Sequence, residues 1–521
     1  VNGAGALLRT LVGAGVDTCF ANPGTSEMHF VAALDEVPAM RGVLCLFEGV
    51  ATGAADGYGR MADRPAATLL HLGPGLGNGL ANLHNARRAR TPVVNVVGDH
   101  ATYHKRYDAP LESDIESLAR PVSAWYRVCS QAQDVAQDAA DAVAAALGPP
   151  GGVATLVLPA DASWSEGAPG PAPAPPSRHP ARVDPDTVEA VAKALRDGRH
   201  AALLVGGTAL DRRGLAAAGR VAAAAGAKLL AETFPARLSR GAGITPVERL
   251  GYLAEFMEAQ LAGVSALVLV DAAPPTSFFA YPGRPSSLVP NGAEVLPLVP
   301  AGSGLDAPAA LEALADVLGA DADAAPVQAA RPDPPRGPLT AESLGQAVGA
   351  LLPEGVVVVD EANTAGLFIS GATAGCPPHE WLTLTGGAIG QGMPAATGAA
   401  VAVGPERRVL CLEADGSALY TAQALWTQAR EELDVTTVIL SNRSYAILRL
   451  ELSRVGADGG GPAAQAMLDL TGPEIDFVQL SRGLGVPAER AETADDLVRH
   501  LSRALREPGP NLIEAVLPPG L

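Results

Sequence analysis

"RVLCLEADGSALYTAQALWTQAREELDVTTVILSNRSYAIL" (408–448) sets two aliphatic, β-branched runs on either side of an alanine-rich segment. The first run reads as a strand ending at Asp415. Gly416 and Ser417 make a turn, 418–432 reads as a helix, and a second strand over 435–440 delivers Asn442 beside Ser444. A strand–helix–strand crossover within one sheet is right-handed and brings both carboxyl ends to the same edge, so Asp415 and Asn442 are expected to converge. One carboxylate, one amide and the backbone carbonyl of Ser444 make an all-oxygen set with room for water and phosphate oxygens, which suits Mg2+. A glycine turn at a helix start adds backbone donors for a diphosphate. D-G-S alone is an ordinary turn. The longer pattern, with N-x-S at the end of the next strand, is far more specific.

The same alternation continues outward. "GVVVVDE" (355–361) belongs with the two strands above. "AALLVGG" (201–207), "KLLAE" (228–232) and "ALVLVD" (266–271) form a second group, and "ATLLHL" (67–72), "PVVNVVG" (92–98) and "ATLVLP" (154–159) a third, each interleaved with helical stretches. Proline-rich segments at 165–182 and 325–338 separate the groups as extended linkers. The pattern predicts three α/β domains, each a doubly wound parallel sheet, over 1–164, 183–324 and 339–521. "LVGGTAL" (204–210) reads either as a tight strand-to-helix turn or as part of a dinucleotide fingerprint, whose full glycine spacing it lacks.

A net charge of −19 over 521 residues argues against nucleic acid or an anionic membrane as partner. The five cysteines are scattered without metal-ligand spacing, and no apolar run reaches spanning length. These features predict a soluble, cytoplasmic protein with buried thiols.

In "CLFEGVATGAADGYGR" (45–60) an apolar run meets a small-residue helix, and a single carboxylate, Glu48, stands at the junction. An isolated glutamate there would be a helix-dipole partner. Together with the D-G-S pattern it points elsewhere. Ala414-Asp415-Gly416-Ser417 and Ser441-Asn442 resemble the G-D-G-S and N-N diphosphate-binding motif of the thiamine diphosphate (ThDP) enzymes. "TGGAIGQGMPAATGAA" (385–400) is similar to the stretch that threads beneath that cofactor, with Gly387 in it and Ile389 as the apolar residue that enforces the cofactor's bent conformation. "DEANT" (360–364) matches the loop whose Asn363 and Thr364 touch the diphosphate. The resemblance spans the chain and lies nearest the benzoylformate decarboxylase and acetolactate synthase branches.

It implies pyrimidine-binding, central and diphosphate-binding domains in that order, and ThDP with Mg2+ held by Asp415, Asn442 and Ser444. Gly416, Ser417, Tyr445, Ala446 and Ile447 would line the diphosphate end, and Asn22, Pro23 and Gly24 the pyrimidine end. Glu48 would share a proton with the pyrimidine ring nitrogen and so activate the cofactor. Because the pyrimidine domain of one subunit faces the diphosphate domain of another, the resemblance also implies a homo-oligomer, with a dimer of dimers expected.

On the substrate side, Thr25 in "FANPGTSEMHF" (20–30) matches a hydroxyl near the substrate carboxylate, with an N-cap as the alternative. His71 in "LLHLGPGLGNG" (69–79) matches an active-site histidine, expected at a strand end before a glycine loop. The chain departs from both branches. "TSFFAYPG" (276–283) has no histidine where the decarboxylase has one. Pro110 and Leu111 replace the synthase's phenylalanine and glutamine, and Glu451 stands near an aromatic position. His100 and His104 read either as site residues or as part of a solvated loop.

The expected reaction is decarboxylation of a 2-oxo acid through a ThDP carbanion-enamine, with acetolactate synthase-like carboligation as the alternative. A catalytically silent ThDP-binding paralogue and a flavin or nicotinamide oxidoreductase are the other classes. The altered loop and incomplete fingerprint predict no bound FAD.

Overall fold

The computed structural model describes residues 1–176, 179–320, 325–457 and 460–519. Strands β1 (Thr18–Ala21), β2 (Arg41–Leu44), β3 (Ala66–Leu70), β4 (Val93–Asp99), β5 (Trp125–Val128) and β6 (Val153–Pro159) make a wholly parallel sheet in the order 2-1-3-4-6-5. The next six are β7 (Ala201–Val205), β8 (Lys228–Ala231), β9 (Leu238–Arg240), β10 (Glu248–Arg249), β11 (Ala266–Ala272) and β12 (Glu294–Pro300). Five of them form a second parallel sheet, 10-8-7-11-12. The last six, β13 (Val357–Glu361), β14 (His379–Thr383), β15 (Val409–Ala414), β16 (Val435–Ser441), β17 (Ala488–Ala491) and β18 (Asn511–Val516), build a third sheet in the order 17-18-16-15-13-14, which β9 extends in antiparallel sense beside β14.

Three α/β sheets are therefore present, as the alternating pattern predicts. β9 is the element that pattern does not show: Ser239 and Arg237 bond the Glu380 carboxylate, tying this short strand to β14. Outside isolated bridges at Ala181 and Pro338, the described residues of 165–182 and 325–338 form no helix or strand, as proline-rich composition dictates.

The strand order reverses within each sheet, and the crevice at such a switch point is where open α/β sheets bind ligands. In the first sheet one reversal falls between β1 and β3, and in the third one falls between β13 and β15. These edges carry the candidate residues.

The first and third domains share one hydrophobic core, in which Val50, Ala54 and Tyr58 meet Met393, Ala395 and Ala399. Two helices make the contact, Glu48–Ala62 and Gly392–Val403. A Cβ on Gly57 would lie 2.0 Å from the Ala395 carbonyl oxygen, and one on Gly398 would lie 1.7 Å from that of Ala54. Only glycine allows the backbones so close. Beside this crossing Arg60 pairs with Asp56, both buried, and donates to the Thr383 carbonyl, the Thr385 hydroxyl and the Ala236 carbonyl. One guanidinium thus touches segments of all three sheets' domains.

Candidate active site

Four consecutive strand ends build one half of the site. After β2, Phe47 is extended and Glu48 opens its helix, where the helix N-terminus favours a carboxylate. Glu48 is buried, and its Oε2 accepts from Asn78 Nδ2 at 3.0 Å. After β3 comes His71, followed directly by a helix, Leu72–Ala89, rather than the glycine loop its composition predicts. The glycines serve close packing: a Cβ on Gly75 would lie 3.1 Å from Glu48 Oε1 and 3.3 Å from His71 Cβ, so both side chains lean on the same residue. Glu48 and His71 are therefore brought together.

After β1 the chain turns through Asn22, Pro23 and Gly24. Gly24 lies flat against the His71 ring, where a Cβ would sit 2.2 Å from the imidazole. Thr25 is exposed and opens a 3-10 turn, Thr25–Glu27, but does not cap it; the Gly24 N–H goes to Glu27 Oε2 at 2.7 Å. The same Glu27 oxygen holds His71 Nδ1 at 2.9 Å. Glu27 is 3% exposed, and its Oε1, packed against Gly98 at the end of β4, has no hydrogen-bond partner among the described residues. Burial raises its pKa, against the pull of His71. Sequence reading passed over Glu27, although a glutamate three residues after Gly24 is a capping signature.

The other half lies on the third sheet. Paired registers place Asp415, just past β15, beside Asn442 and Arg443, just past β16. Asp415 Oδ1 accepts the Gly416 N–H at 2.8 Å and Oδ2 the Arg443 N–H at 2.6 Å, while Asn442 Oδ1 accepts from Ser444 N at 3.1 Å. The expected convergence is present. Burial pushes the Asp415 carboxyl up and these N–H donors pull it back. A Cβ on Gly416 would lie 2.4 Å from the Tyr445 ring, so a side chain there would have to displace that ring. The expected single helix over 418–432 is instead one turn, Asp415–Ala418, a break, and a helix over Ala424–Arg430. The break exists because Tyr420 packs over Gly390 and Thr421 Oγ1 bonds the Gly390 carbonyl at 2.9 Å.

Across the switch point, Asn363 Nδ2 donates to Ser417 Oγ at 3.2 Å, and Thr364 follows in the same 3-10 turn. Gly387 (φ +74°) and the half-buried Ile389 lie in the loop before the Gly392–Val403 helix, and Ala446 and Ile447 start the helix Ala446–Arg454. Two buried carboxyls behind this loop went unremarked in the sequence. Glu361 Oε1 accepts from Gly390 N at 2.7 Å and its Oε2 from Gly392 N at 2.5 Å, with the Ser417 hydroxyl beside the same group. Burial pushes Glu361 up to about 7, and burial with Glu361 as neighbour pushes Glu413 well above the carboxylate range.

Other candidates fall elsewhere. Both Glu451 oxygens accept from Tyr281 Oη, at 3.0 and 2.8 Å, and Arg454 stacks on the Tyr281 ring, so Glu451 fastens its helix to the central domain. From "TSFFAYPG" it is Phe278 that reaches Gly387, 3.0 Å from the Cβ position. His104 is exposed; the His100 ring lies tilted at 55° to it with 5.4 Å between centroids, and the buried His100 Nε2 has no hydrogen-bond partner among the described residues. In "LVGGTAL" the Gly207 N–H goes to Glu232 and the Thr208 N–H to Asp271, so the chain's own carboxylates take the donors a dinucleotide phosphate would need. All five cysteines are free and buried, which pushes their thiols up. Among the described residues no helix is long and apolar enough to cross a membrane.

Residues 1–118 match the family described as "Thiamine pyrophosphate enzyme, N-terminal TPP binding domain" and residues 370–515 its C-terminal TPP binding domain. A Mycobacterium tuberculosis protein named "Putative acetolactate synthase large subunit IlvX" is 59% identical over 519 residues, covering 99% of each chain. The chain belongs to the thiamine pyrophosphate enzymes. Within this family it is also similar to a Pseudomonas aeruginosa benzoylformate decarboxylase, at 30% identity over 96% of each chain. The solved 4-hydroxybenzoylformate decarboxylase of Rhodococcus jostii RHA1 shares its fold at TM-score 0.87 and 25% identity, over 100% of this chain and 99% of that one.

The residues present fit the family's cofactor. The Asp415–Asn442 pocket offers hard oxygen donors, and both Asp415 oxygens, each bonded to one N–H, keep a lone pair for a cation. The Tyr445 ring closes over the Gly416 turn, and Glu48 presents a buried carboxylate at a switch-point edge.

Proposed function

We propose that this chain decarboxylates a 2-oxo acid with ThDP and Mg2+, and that the observation carrying the reading is Glu48 and His71 leaning on one glycine at the edge of the first sheet. Bound ThDP supplies the electron sink that a carbon–carbon bond next to a carbonyl needs in order to break. The chain's own groups do the rest. Asp415, Asn442 and the Ser444 carbonyl would hold Mg2+, and Gly416 and Ser417 would take the diphosphate at a turn of backbone donors. Ile389 would support the cofactor's bend. Glu48 would give and take a proton at the cofactor's pyrimidine ring nitrogen, with Asn78, which donates to Glu48 Oε2, keeping the carboxylate aimed. His71, held through Nδ1 by Glu27, presents Nε2 for proton transfer to and from the substrate.

Decarboxylation and carboligation share every group named here. The names of the relatives fall on both sides of that fork, so carboligation is kept as the second reading. A panel of 2-oxo acids scored separately for CO2, aldehyde and acyloin separates them; CO2 with no stoichiometric aldehyde or acyloin contradicts both. Chelator dialysis at raised pH should remove ThDP and activity together, and Mg2+ with ThDP should restore them. Asp415→Ala retaining activity without bound ThDP would sink the assignment.

The incomplete glycine fingerprint, with the Gly207 and Thr208 N–H groups taken by Glu232 and Asp271, supports the reading of a chain without FAD. Leu46, Leu419 and Tyr420 are exposed beside the two half-sites, which supports a homo-oligomer in which a partner completes each site. Sedimentation showing an active monomer would rule that out.

A further inference from the structure

Glu361 occupies a place that the mechanism above leaves without a role. It ends β13 at the switch point of the third sheet, 2% exposed, and lies between the loop that would support the cofactor's bend and the turn that would hold its diphosphate. On one side its two oxygens take the N–H groups of Gly390 and Gly392, flanking the loop that carries Gly387 and Ile389. On the other stands Ser417 of the diphosphate turn, whose Oγ already accepts from Asn363 and so has its own proton free to give. The space is closed: a Cβ on Gly392 would lie 2.0 Å from Glu413 Oε2 and 3.1 Å from Glu361 Oε2. Other contacts of the loop run to the first domain, from Asn85 to Ala388 and from His84 to Gly386.

We infer that Glu361 is a positioning residue that sets the distance between the loop carrying Ile389, which would support the cofactor's bend, and the diphosphate turn. The inference rests on the ThDP reading of the site. The ionised carboxylate, the form these hydrogen bonds favour against burial, suits the task because it is acceptor-only, with two oxygens for two N–H donors. A glutamine must turn an NH2 toward one of those N–H groups and loses that contact, while it can still take the Ser417 hydroxyl. The loop should then shift relative to a turn that stays in place.

The test compares two probes on the full-length protein by titration calorimetry: ThDP with Mg2+, and inorganic diphosphate with Mg2+. For Glu361→Gln the expected result is ThDP affinity lowered at least tenfold, with diphosphate affinity within twofold of the parent. Where that variant does not fold, Glu361→Asp carries the same comparison, because it keeps the carboxylate and draws it back by one methylene. A parallel loss of both ligands, or no change in either, overturns the inference. A parent protein that binds neither probe overturns the cofactor reading itself, and the inference with it.

Discussion

Glu48 and His71 share a glycine but face different tasks, and single substitutions separate them. Glu48→Gln keeps size and some hydrogen bonding but gives up the proton, and general acid–base roles are typically worth about 10²- to 10⁴-fold. Turnover should fall by that order while the thermal midpoint stays close to the parent, because a buried carboxylate is a cost to folding rather than a support. Exchange of the cofactor's C2 proton should slow equally; exchange at the parental rate would remove Glu48 from the role. For His71 the informative partner is Glu27. Both His71→Ala and Glu27→Gln should slow product formation and leave C2 exchange and ThDP affinity nearly intact, with Glu27→Gln, which still offers an acceptor to Nδ1, the milder of the two. If Glu27→Gln matches the parent across a full pH–rate profile, the pair is only structural.

Among the elements, the crossing of the Glu48–Ala62 and Gly392–Val403 helices is the least forgiving. Gly398→Ala drives a methyl into the Ala54 carbonyl, and overpacking of this kind costs about 1–3 kcal/mol. The urea midpoint should drop accordingly, whereas Gly13→Ala, at the last position of the Gly3–Gly13 helix with open space around it and no positive φ, should cost less. Equal losses at the two positions would mean that the crossing is not the tight contact described. This scale also shows what the sequence made legible. The strands around Asp415 and Asn442 were readable because β-branched runs and a glycine turn are local signals. The helix break at 419–423 was not, because its cause is a contact with Gly390 in another segment. β9 was hidden for the same reason, its partner Glu380 lying far along the chain. Glu27 and Glu361 carry roles that depend on which groups surround them, and nothing beside them in sequence shows those groups.

For the whole molecule, the central domain's edge carries a pH-sensitive contribution to stability. Glu232 is half-buried under the Gly207 turn near Arg90 and Asp271, and desolvation pushes its pKa up from 4.5 to about 7. The folded state therefore binds this proton more tightly than the unfolded chain. The contribution is fully present below about pH 4.5 and is lost as pH rises to about 7. A shift of this size corresponds to about 3 kcal/mol. Glu232→Gln should remove that slope, so urea unfolding at pH 5 and pH 7.5 should differ less in the variant than in the parent. Identical slopes would show that Glu232 titrates normally. A separate consequence follows from Arg60. Its partner Asp56 lies in the first domain, but the carbonyls and hydroxyl that complete its shell belong to 236, 383 and 385. Residues 1–164 are thus not a part that can be lifted out and transplanted, since excision would leave an ion pair made for a dry, three-way junction facing water, beside bare glycines with nothing to pack on.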